Sequence, residues 1–530
     1  MSKLFDVSLK RPDYFARQLE IERDLIPYSL AEKRILPKRS KYPFIPSGGG
    51  GMPLSYNKDN GLVYVDPSDA HTLILGTTGS KKSRLVAMPA IQILGAAKES
   101  MIVIDPKGEL YSNTANDLKK SGYRILVINL RDPESGSCWN PLSIPYELYR
   151  SGNLDRACAL VNDIATNIIG MTKTTSDPFW DNSACSFLLG VTLLLFKYCN
   201  EFNLDADVVH FGNVNKLRRE LFVGNQYVNA NSYFNLEVDK KFMQYYKGDS
   251  IIEAALIGTT NCADTTKVSI LSTFDQKMRI FSMQPNLMNM LAYNDIDIDT
   301  LISEPSACFV IAPDEKTTYH SLVTLFIKQS YELLIEAIQR EQKNNFNKNV
   351  CNRVNYIIDE FSSLPKISDF PAMITAARSR GVRFNIFIQS KHQLQERYGE
   401  EAGTIQDNCT NWIFLFSREL GILQDLSSLC GTDYRQGIPV ASVENLQKLD
   451  KFSGEALVFN GRNKPYIAKL PDIEKYTVIE KDTVETSEKP HRKRLDVEFV
   501  FPKENGSDGD YDFYMSKIKK LTSLENKEAN

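Results

Sequence analysis

Two distant stretches of sequence decide the fold: HTLILGTTGSKKS at His71–Ser83 and VNYIIDE at Val354–Glu360. The first is an apolar strand that enters a Gly-rich turn ending in Lys-Ser, and the second is an apolar strand that ends in two carboxylates. A turn of this kind before a helix presents backbone N–H groups to phosphate, and the lysine, hydroxyl and carboxylates add charge and metal ligands. Together the two stretches predict a nucleoside-triphosphate site.

The residues of the turn have distinct expected roles. Gly76 and Gly79 supply conformational freedom and let phosphate oxygens approach the backbone. Lys82 is expected to reach the terminal phosphates, and Ser83 is expected to bind Mg²⁺ at the start of the following helix. The predicted nucleotide-binding residues are Gly76, Thr77, Thr78, Gly79, Ser80, Lys81, Lys82 and Ser83.

Lys81 departs from the usual pattern G-x-x-x-x-G-K-[ST], which has Gly at this position. A Cβ there either clashes or changes the path of the loop, at a cost of about 1–3 kcal/mol. An extra ammonium beside the phosphates instead helps to bind an anion. Two states therefore stay open: an active site with an unusual loop, or a site that binds nucleotide with little or no hydrolysis.

The ends of two later strands supply the other expected site residues. Asp359 is expected to hold the Mg²⁺ shell together with Ser83, and Glu360 to act as general base on a water molecule. Gln389 follows the strand in FNIFIQS and either senses the terminal phosphate or caps the strand end. The sequence therefore predicts Lys82, Glu360 and Gln389 as catalytic residues.

Three arginines precede that strand in AARSRGVRF: Arg378, Arg380 and Arg383. In a ring of subunits, one of them could reach a neighbour's phosphate as an arginine finger. A surface salt bridge is the alternative for each of them.

Alternation of short apolar runs with helical stretches, from about residue 60, predicts β-α-β units and a parallel sheet. Helical periodicity predominates between about residues 145 and 290, and then the alternation resumes. The predicted strands are Thr72–Leu75, Met101–Ile104, Arg124–Leu130, Ala307–Ile311, Asn355–Ile358, Phe384–Ile388, Trp412–Phe416 and Ala456–Phe459. The fold class is therefore predicted as α/β, with a nucleotide-binding domain interrupted by an inserted all-helical domain.

This organisation implies five segments along the chain. They are an N-terminal arm with a flexible Gly-rich joint (1–55), a first part of the nucleotide-binding domain (56–145), the helical insertion (146–290), a second part of the nucleotide-binding domain (291–471) and a mixed-charge C-terminal tail (472–530). Pro89 is expected to kink the helix that follows the turn. The tail is expected to be a loose, solvated segment.

Composition excludes several classes of protein. The 530 residues have a net charge of −3, so no global basic field indicates nucleic-acid binding, and any DNA contact requires a local patch or an oligomeric channel. The nine cysteines are scattered without a C-x-x-C motif, which favours unpaired thiols over disulfides or zinc.

The longest apolar run, Phe187–Phe196, is shorter than the ~20 residues of a membrane span and predicts a buried helix. The N-terminus lacks the apolar core of a signal peptide.

Several motifs in a fixed order resemble the TraG-like coupling proteins of type IV secretion and conjugation. The resemblance covers about residues 45–470. Its motifs are IDPKGELY at Ile104–Tyr111, WNPL at Trp139–Leu142, DPFW at Asp177–Trp180, IAPDEKTTY at Ile311–Tyr319 and IIDEFSSLPKISDFPAMITAARSRGVRFNIFIQSKHQLQERYG at Ile357–Gly399.

The resemblance implies a RecA-like nucleotide-binding domain with an inserted all-helical domain that reads cargo. It also implies hexameric rings with ATP sites between subunits, which feed a relaxase–DNA complex to a secretion channel. The family pattern maps onto Lys82, Ser83, Asp359, Glu360 and Gln389, and the arginine finger maps onto Arg380 or Arg378. Many members begin with membrane-spanning helices. This chain resembles the soluble members, which implies a cytoplasmic protein tethered at the inner face of the membrane by a partner.

The leading hypothesis is an ATP-driven coupling protein that delivers DNA or relaxase–DNA complexes to a type IV secretion or conjugation channel. Its expected cofactors are ATP and Mg²⁺, and its expected partners are single-stranded DNA, a relaxase, channel components and further copies of this chain. One alternative is a docking platform for transfer cargo that binds nucleotide but is catalytically weak. Another is a ring ATPase of DNA processing or defence outside secretion, because the same engine serves many functions.

Overall fold

The chain divides into two compact units, which we call the sheet unit (residues 1–127 and 297–485) and the helical unit (residues 128–296 and 486–530). The structure is a computed structural model. It describes residues 16, 18–37, 48–170, 177–224, 236–238, 248–313, 315, 319–344, 352–433, 437–477 and 492–499. Most of the predicted C-terminal tail and part of the IAPDEKTTY motif lie outside the described residues.

Strands and helices alternate in the sheet unit. Numbered through both units, the strands are β1 (Ile26–Ser29), β2 (Arg34–Ile35), β3 (Pro53–Asn57), β4 (Leu62–Val65), β5 (Thr72–Gly76), β6 (Ser100–Ile104), β7 (Arg124–Asn129), β8 (Phe222–Gly224), β9 (Leu236–Val238), β10 (Ser306–Ile311), β11 (Val354–Ile358), β12 (Val382–Ile388), β13 (Asn411–Phe416), β14 (Thr432–Asp433), β15 (Ile438–Pro439), β16 (Glu455–Asn460) and β17 (Tyr466–Lys469). Of these, β8 and β9 lie in the helical unit. The sheet unit's α-helices are Gln18–Asp24, Met88–Ala96, Glu109–Lys120, Ile298–Ser303, His320–Asn344, Phe370–Ala377, Lys391–Tyr398, Glu401–Asn408, Leu420–Cys430 and Val443–Gln447.

Nine strands form the central sheet, in the order β17-β16-β13-β5-β12-β11-β6-β10-β7. Neighbouring strands from β13 to β10 run parallel, whereas β16 and β17 continue the sheet antiparallel beyond β13. The parallel strands are buried along almost their whole length, because helical connections cover a parallel sheet. The α/β prediction is confirmed, and all eight predicted strands are present within two residues of their expected ends. β17 lacked a strong apolar pattern and was not predicted.

The helix after the Gly-rich turn at residues 76–82, called the phosphate turn for its expected ligand, begins with a π-helical turn, Ser83–Ala87, and continues as the α-helix Met88–Ala96. The N–H of Met88 donates to the carbonyl of Ser83, five residues earlier. Pro89 has no N–H, and its ring would press on the carbonyl four residues back in a regular α-helix. The wider turn before Pro89 relieves that crowding, and the kink expected at Pro89 stays a prediction.

The glycine run at residues 48–51 is not a flexible joint, so that part of the prediction is wrong. Gly50 donates its N–H to Oε1 of Glu99 at 2.9 Å and accepts from Arg383 at 2.9 Å. A Cβ on Gly48 would lie 2.1 Å from the carbonyl oxygen of Ala97, and a Cβ on Gly51 would lie 2.4 Å from that of Asp66. These glycines allow close packing. They precede β3 in a four-stranded antiparallel sheet of order β2-β1-β4-β3, where only an arm was expected.

The helical unit is built from α-helices, with the short antiparallel pair β8–β9 as its one ladder among the described residues. Its helices are Ser143–Arg150, Leu154–Ile169, Pro178–Glu201, Phe211–Leu221, Ser250–Thr260, Asp264–Met278, Ile280–Met283 and Pro285–Met290. The apolar run at Phe187–Phe196 lies inside the 24-residue helix Pro178–Glu201 and is mostly buried, as predicted. That helix is the single described one whose length and apolar composition would suffice to cross a membrane.

Residues 492–499 pack along the helical unit, so the expectation of a loose surface tail is wrong for this segment. The carbonyl of Leu495 lies 2.9 Å from Nε2 of His210, and the N–H of Val497 donates to Asn213 at 3.0 Å. Phe499 meets the ring of Tyr198 edge to face at 5.1 Å between centroids. The charge pattern of residues 492–499 alone predicts a solvated segment. A few hydrogen bonds and one aromatic contact nevertheless hold it against the helices.

Candidate functional site

The predicted site residues meet at the carboxyl edge of the central sheet. β12 lies between β5 and β11, and all three strands run parallel, with Leu75 beside Ile388 and Ile386 beside Ile358. The turn after β5, the Asp-Glu pair after β11 and Gln389 after β12 therefore emerge side by side. Ligands of open α/β sheets bind at this edge.

Lys82 is buried in the turn, and its ammonium donates to the carbonyl of Gly76. Burial lowers the pKa of Lys82, while the negative charges of Glu360 and Asp359 oppose that shift. The hydroxyl of Ser80 is also buried and has no hydrogen-bond partner. Ser83 is half-buried at the first position of the helix. The turn therefore holds a positive charge and an unused hydroxyl where phosphate is expected.

Lys81 adopts the left-handed conformation that a glycine would adopt at this position, with a φ of 67°. Its ammonium lies 3.7 Å from Oδ2 of Asp472 and 5.3 Å from the ring centroid of Phe452. Asp472 also binds the guanidinium of Arg84 at 2.5 Å. The lysine therefore keeps the turn in a glycine-like path, and its charge is directed to partners outside the turn.

The negative charges of Asp359 and Glu360 both raise the pKa of Lys82, although the two residues are consecutive in sequence. Consecutive residues of an extended strand point to opposite faces. Glu360 has a left-handed φ of 59°, so the chain turns immediately after Asp359. Burial raises the pKa of Asp359 to about 6, with a further rise from Glu360 and opposition from Lys82. A non-glycine residue in this conformation costs about 1–2 kcal/mol, which marks Glu360 as a strained residue at the site.

Gln389 connects the turn to the carboxylates. Its Nε2 donates to Oε2 of Glu360, and its Oε1 accepts the hydroxyl of Thr78 at 3.0 Å. The neighbouring Ser390 caps the helix Lys391–Tyr398. Of the two alternatives for Gln389, this geometry favours contact with the nucleotide region.

Two residues of the IDPKGELY motif also lie at this edge, and the sequence assigned them no role. Asp105 follows β6, the neighbour of β11, and burial raises its pKa to about 7. Its Oδ2 accepts the N–H of Tyr111 at 2.8 Å, whereas its buried Oδ1 has no hydrogen-bond partner. The ammonium of Lys107 lies 3.9 Å from Oε1 of Glu360. Their position directly after a predicted strand was the one sequence feature that could have placed them at the site.

The three arginines occupy the other end of β12. Arg378 and Arg380 form a 3₁₀ turn before that strand, at the edge of the sheet opposite the phosphate turn of their own chain. Arg383 is buried inside the strand and binds Glu99 at 2.5 Å. It is neither a finger nor a surface salt bridge. An arginine-finger role stays a prediction for Arg378 and Arg380.

The residues at this edge fit a magnesium nucleotide. The buried Lys82 ammonium, the unused Ser80 hydroxyl and the unused Oδ1 of Asp105 are polar groups that a bound ligand would satisfy. Within the described residues, no three His, Cys, Asp or Glu side chains form a metal cluster, and no disulfide is present. Magnesium in such sites takes few protein ligands and several phosphate or water oxygens. Ser83 and Asp359 are the residues that would hold it.

Comparison with known proteins gives a family match over most of the chain. The sequence profile of the family "Type IV secretory system Conjugative DNA transfer" matches residues 30–436. Protein VirD4 of Rhizobium radiobacter is 22% identical over 350 residues, which are 65% of this chain and 45% of that protein. The match thus spans less than half the length of this relative.

Solved structures of plasmid coupling protein TrwB share the fold. The complex with the non-hydrolysable ATP analogue ADPNP has a TM-score of 0.52 at 15% identity and covers 91% of this chain and 100% of that one. The complex with ADP and Mg²⁺ has a TM-score of 0.52 at 15% identity and covers 82% and 97%. The predicted fold class, a RecA-like α/β domain with an inserted helical domain, is therefore confirmed.

Proposed function

The chain belongs to the type IV secretory system conjugative DNA transfer family, and from this premise we propose that it is an ATP-driven coupling protein. It delivers DNA or relaxase–DNA complexes to a type IV secretion channel. The solved complexes of TrwB with an ATP analogue and with ADP and Mg²⁺ support nucleotide and magnesium binding by this chain.

One observation carries the proposal: Gln389 joins the phosphate turn to Glu360 through hydrogen bonds to Thr78 and to the carboxylate. A Gly-rich turn alone is weak evidence for nucleotide binding. A turn that is physically linked to a strained carboxylate after a neighbouring strand is a much more specific arrangement.

The proposed chemistry is attack of water on the terminal phosphate of ATP. Glu360 takes the proton or orients the water, and Gln389 fixes the position of that carboxylate. Lys82 releases the Gly76 carbonyl and pairs with phosphate oxygens, which offsets the charge that develops on them. Magnesium, which Ser83 and Asp359 would hold, would act as a Lewis acid and stabilise the negative charge on the phosphate oxygens.

The assembly follows from the family. We propose a hexameric ring with ATP between subunits, in which Arg380 or Arg378 reaches the phosphate of the neighbouring subunit. Their position at the edge opposite their own turn supports action on another chain. The proposed partners are single-stranded DNA, a relaxase and channel components. We also propose a cytoplasmic location, with contact to the inner face of the membrane through a partner.

Turnover is favoured over a catalytically weak docking platform. The weak-platform alternative rested in part on Lys81, and the left-handed backbone of this residue supports an ordinary path for the turn. The ammonium of Lys81 is engaged with Asp472, so it does not crowd the phosphates.

ATP hydrolysis by the purified chain, with Mg²⁺ and single-stranded DNA, tests the proposal. We expect Lys82→Ala and Glu360→Gln to lower the rate by at least about tenfold, because each removes a group that acts in the transition state. Lys98→Ala is the matched control, since the exposed Lys98 ammonium also donates to a backbone carbonyl, that of Ser121. A wild-type rate no higher than that of both variants would show that the chain is not a motor.

A further inference from the structure

The IDPKGELY segment has no part in the chemistry described above, although it lies at the same edge of the sheet. β6 pairs with β11 so that Ile104 stands beside Ile358, and the residues after both strands are neighbours. Lys107 reaches across this boundary, and its Nζ lies 3.9 Å from Oε1 of Glu360. The segment thus brings a second lysine to the carboxylate that faces the reaction.

We propose that Lys107 is a second cation for the terminal phosphate of a bound nucleoside triphosphate. In the nucleotide-free site its ammonium holds Glu360, and in the loaded site it moves to a terminal phosphate oxygen. The site thereby distinguishes a triphosphate from a diphosphate. This inference rests on the proposed function, because it concerns the ligand of the same site.

The backbone of this segment is fixed, whereas the lysine side chain has room to move. Asp105 accepts the N–H of Tyr111 through Oδ2 at 2.8 Å, and its carbonyl accepts the N–H of Gly108 at 3.2 Å. Gly108 has a φ of 72°, which closes the turn before the helix Glu109–Lys120. The side chain of Lys107 is 44% exposed. A fixed backbone and a partly exposed side chain suit a group that changes partner when ligand binds.

The charge balance of the site requires more than Lys82. Lys82 faces both Asp359 and Glu360, and a nucleoside triphosphate adds several further negative charges. Lys81 does not supply the missing charge, because its ammonium lies against Asp472. Lys107 is a further lysine among the described residues, and its charge lowers the pKa of both Lys82 and Asp359. It lowers the repulsion that the carboxylates exert on an anion.

The partner of Lys107 indicates which phosphate it would meet. The backbone of the turn surrounds the inner phosphates in sites of this type. Glu360 must instead lie beside the attacking water, and that water lies beside the terminal phosphorus. A cation in contact with Glu360 is therefore next to the terminal phosphate and remote from the inner ones.

Equilibrium binding of ADPNP and of ADP, both with Mg²⁺, separates this role from that of an ordinary salt bridge. We expect Lys107→Gln to weaken ADPNP binding about tenfold and ADP binding less than about twofold, because only the triphosphate offers the terminal group. Lys107→Arg keeps most of the ADPNP affinity. The matched control is Lys366→Gln, since Lys366 pairs with Glu401 at 2.6 Å and is 48% exposed, and neither affinity should change.

Two results would overturn the inference alone. Equal weakening of both nucleotides by Lys107→Gln would assign the lysine to general support of the pocket. Unchanged affinities would leave it as a surface ion pair. A wild-type chain that binds neither nucleotide would instead overturn the proposed function and this inference together. Thermal unfolding of nucleotide-free Lys107→Gln near the wild-type temperature establishes that the variant is folded.

Discussion

Gln389 and Glu360 are joined by a hydrogen bond from Nε2 of the amide to Oε2 of the carboxylate, and the same amide accepts the hydroxyl of Thr78 at 3.0 Å. The side chain of Gln389, which follows β12, therefore links the residues that follow β5 and β11. The position of the carboxylate depends on the position of the phosphate turn, because a shift of Thr78 moves the amide that holds Glu360. We therefore expect nucleotide entry into the turn to move Glu360, the proposed general base.

Gln389→Leu breaks this link while it keeps a similar side-chain volume. We expect the hydrolysis rate to fall at least about tenfold, because the carboxylate loses its orienting donor, and the dissociation constant for ADPNP to stay within about twofold. Gln393→Leu is the control, since Gln393 accepts a hydrogen bond from Ser362 away from the turn. A large loss of ADPNP affinity in Gln389→Leu would show that the amide binds nucleotide directly.

Lys81→Gly should leave nucleotide affinity within about twofold and stability nearly unchanged. Relief of the left-handed backbone contributes about 1 kcal/mol, and loss of the partly exposed ion pair to Asp472 costs about 0–1 kcal/mol. ADPNP titration and urea unfolding measure both quantities. Lys98→Gly is the matched control, because Lys98 also has a positive φ, 59°. A tenfold loss of affinity would mean that the Lys81 ammonium binds phosphate, and a large gain in hydrolysis would restore the weak-platform alternative.

Glu99→Ala should destabilise the sheet unit by about 3 kcal/mol or more, because it leaves the buried guanidinium of Arg383 without its carboxylate and removes one of the two carboxylates beside Arg353. Glu99 is fully buried, 2.5 Å from Arg383 and 3.4 Å from Arg353. Urea unfolding gives the change in free energy. Glu304→Ala is the control, since Glu304 is 57% exposed and 4.0 Å from Arg124, and we expect a change below about 0.5 kcal/mol. Equal effects of the two substitutions would contradict a structural role for the buried network.

His71 should make the sheet unit less stable in acid. Its Nε2 donates to the carbonyl of Ile374 at 2.8 Å and its Nδ1 accepts the N–H of Phe384 at 2.9 Å, so the neutral ring satisfies both groups. Burial lowers its pKa from 6.5 to about 4. The unfolded chain therefore takes up a proton that the folded chain refuses, and stability falls as pH drops from 6.5 towards 4.

The expected slope from His71 is up to about 1.4 kcal/mol per pH unit in that window. Urea unfolding of wild type and His71→Gln at about pH 7 and about pH 5 measures it, and the variant should lose less stability on acidification. His392→Gln, which alters an exposed histidine, should keep the wild-type difference. A wild-type difference in His71→Gln would place the acid-sensitive group elsewhere.

The core strands and the phosphate turn were predictable from local sequence because their signals are local. Apolar runs such as the one in β11 can be buried only in the interior of a sheet, and the turn before Ser83 carries its own conformational signature. Lys82 and Asp359 are 277 residues apart in sequence (359 − 82 = 277). Their meeting could be predicted because each lies just beyond the end of a predicted strand. Parallel strands bring their carboxyl ends to one edge, so Lys82 and Asp359 could be placed together.

Other features depend on contacts between distant residues and left no local signal. The glycines at residues 48–51 have the composition of a linker, and only the approach of Ala97 and Asp66 makes them a packed corner. Arg383 has the sequence context of a surface arginine, but Glu99 lies beside it in the folded sheet. The role of Lys107 emerges only when β6 is placed next to β11.

The packing of residues 492–499 bears on how fragments of this protein should be made. A fragment cut as the contiguous stretch 128–296 would retain His210 and Asn213 but lose the carbonyl of Leu495 and the N–H of Val497 that satisfy them. It would also expose Tyr198, which Phe499 covers. Binding experiments on the isolated helical unit therefore need the late segment supplied, either fused through a linker or added as a separate peptide.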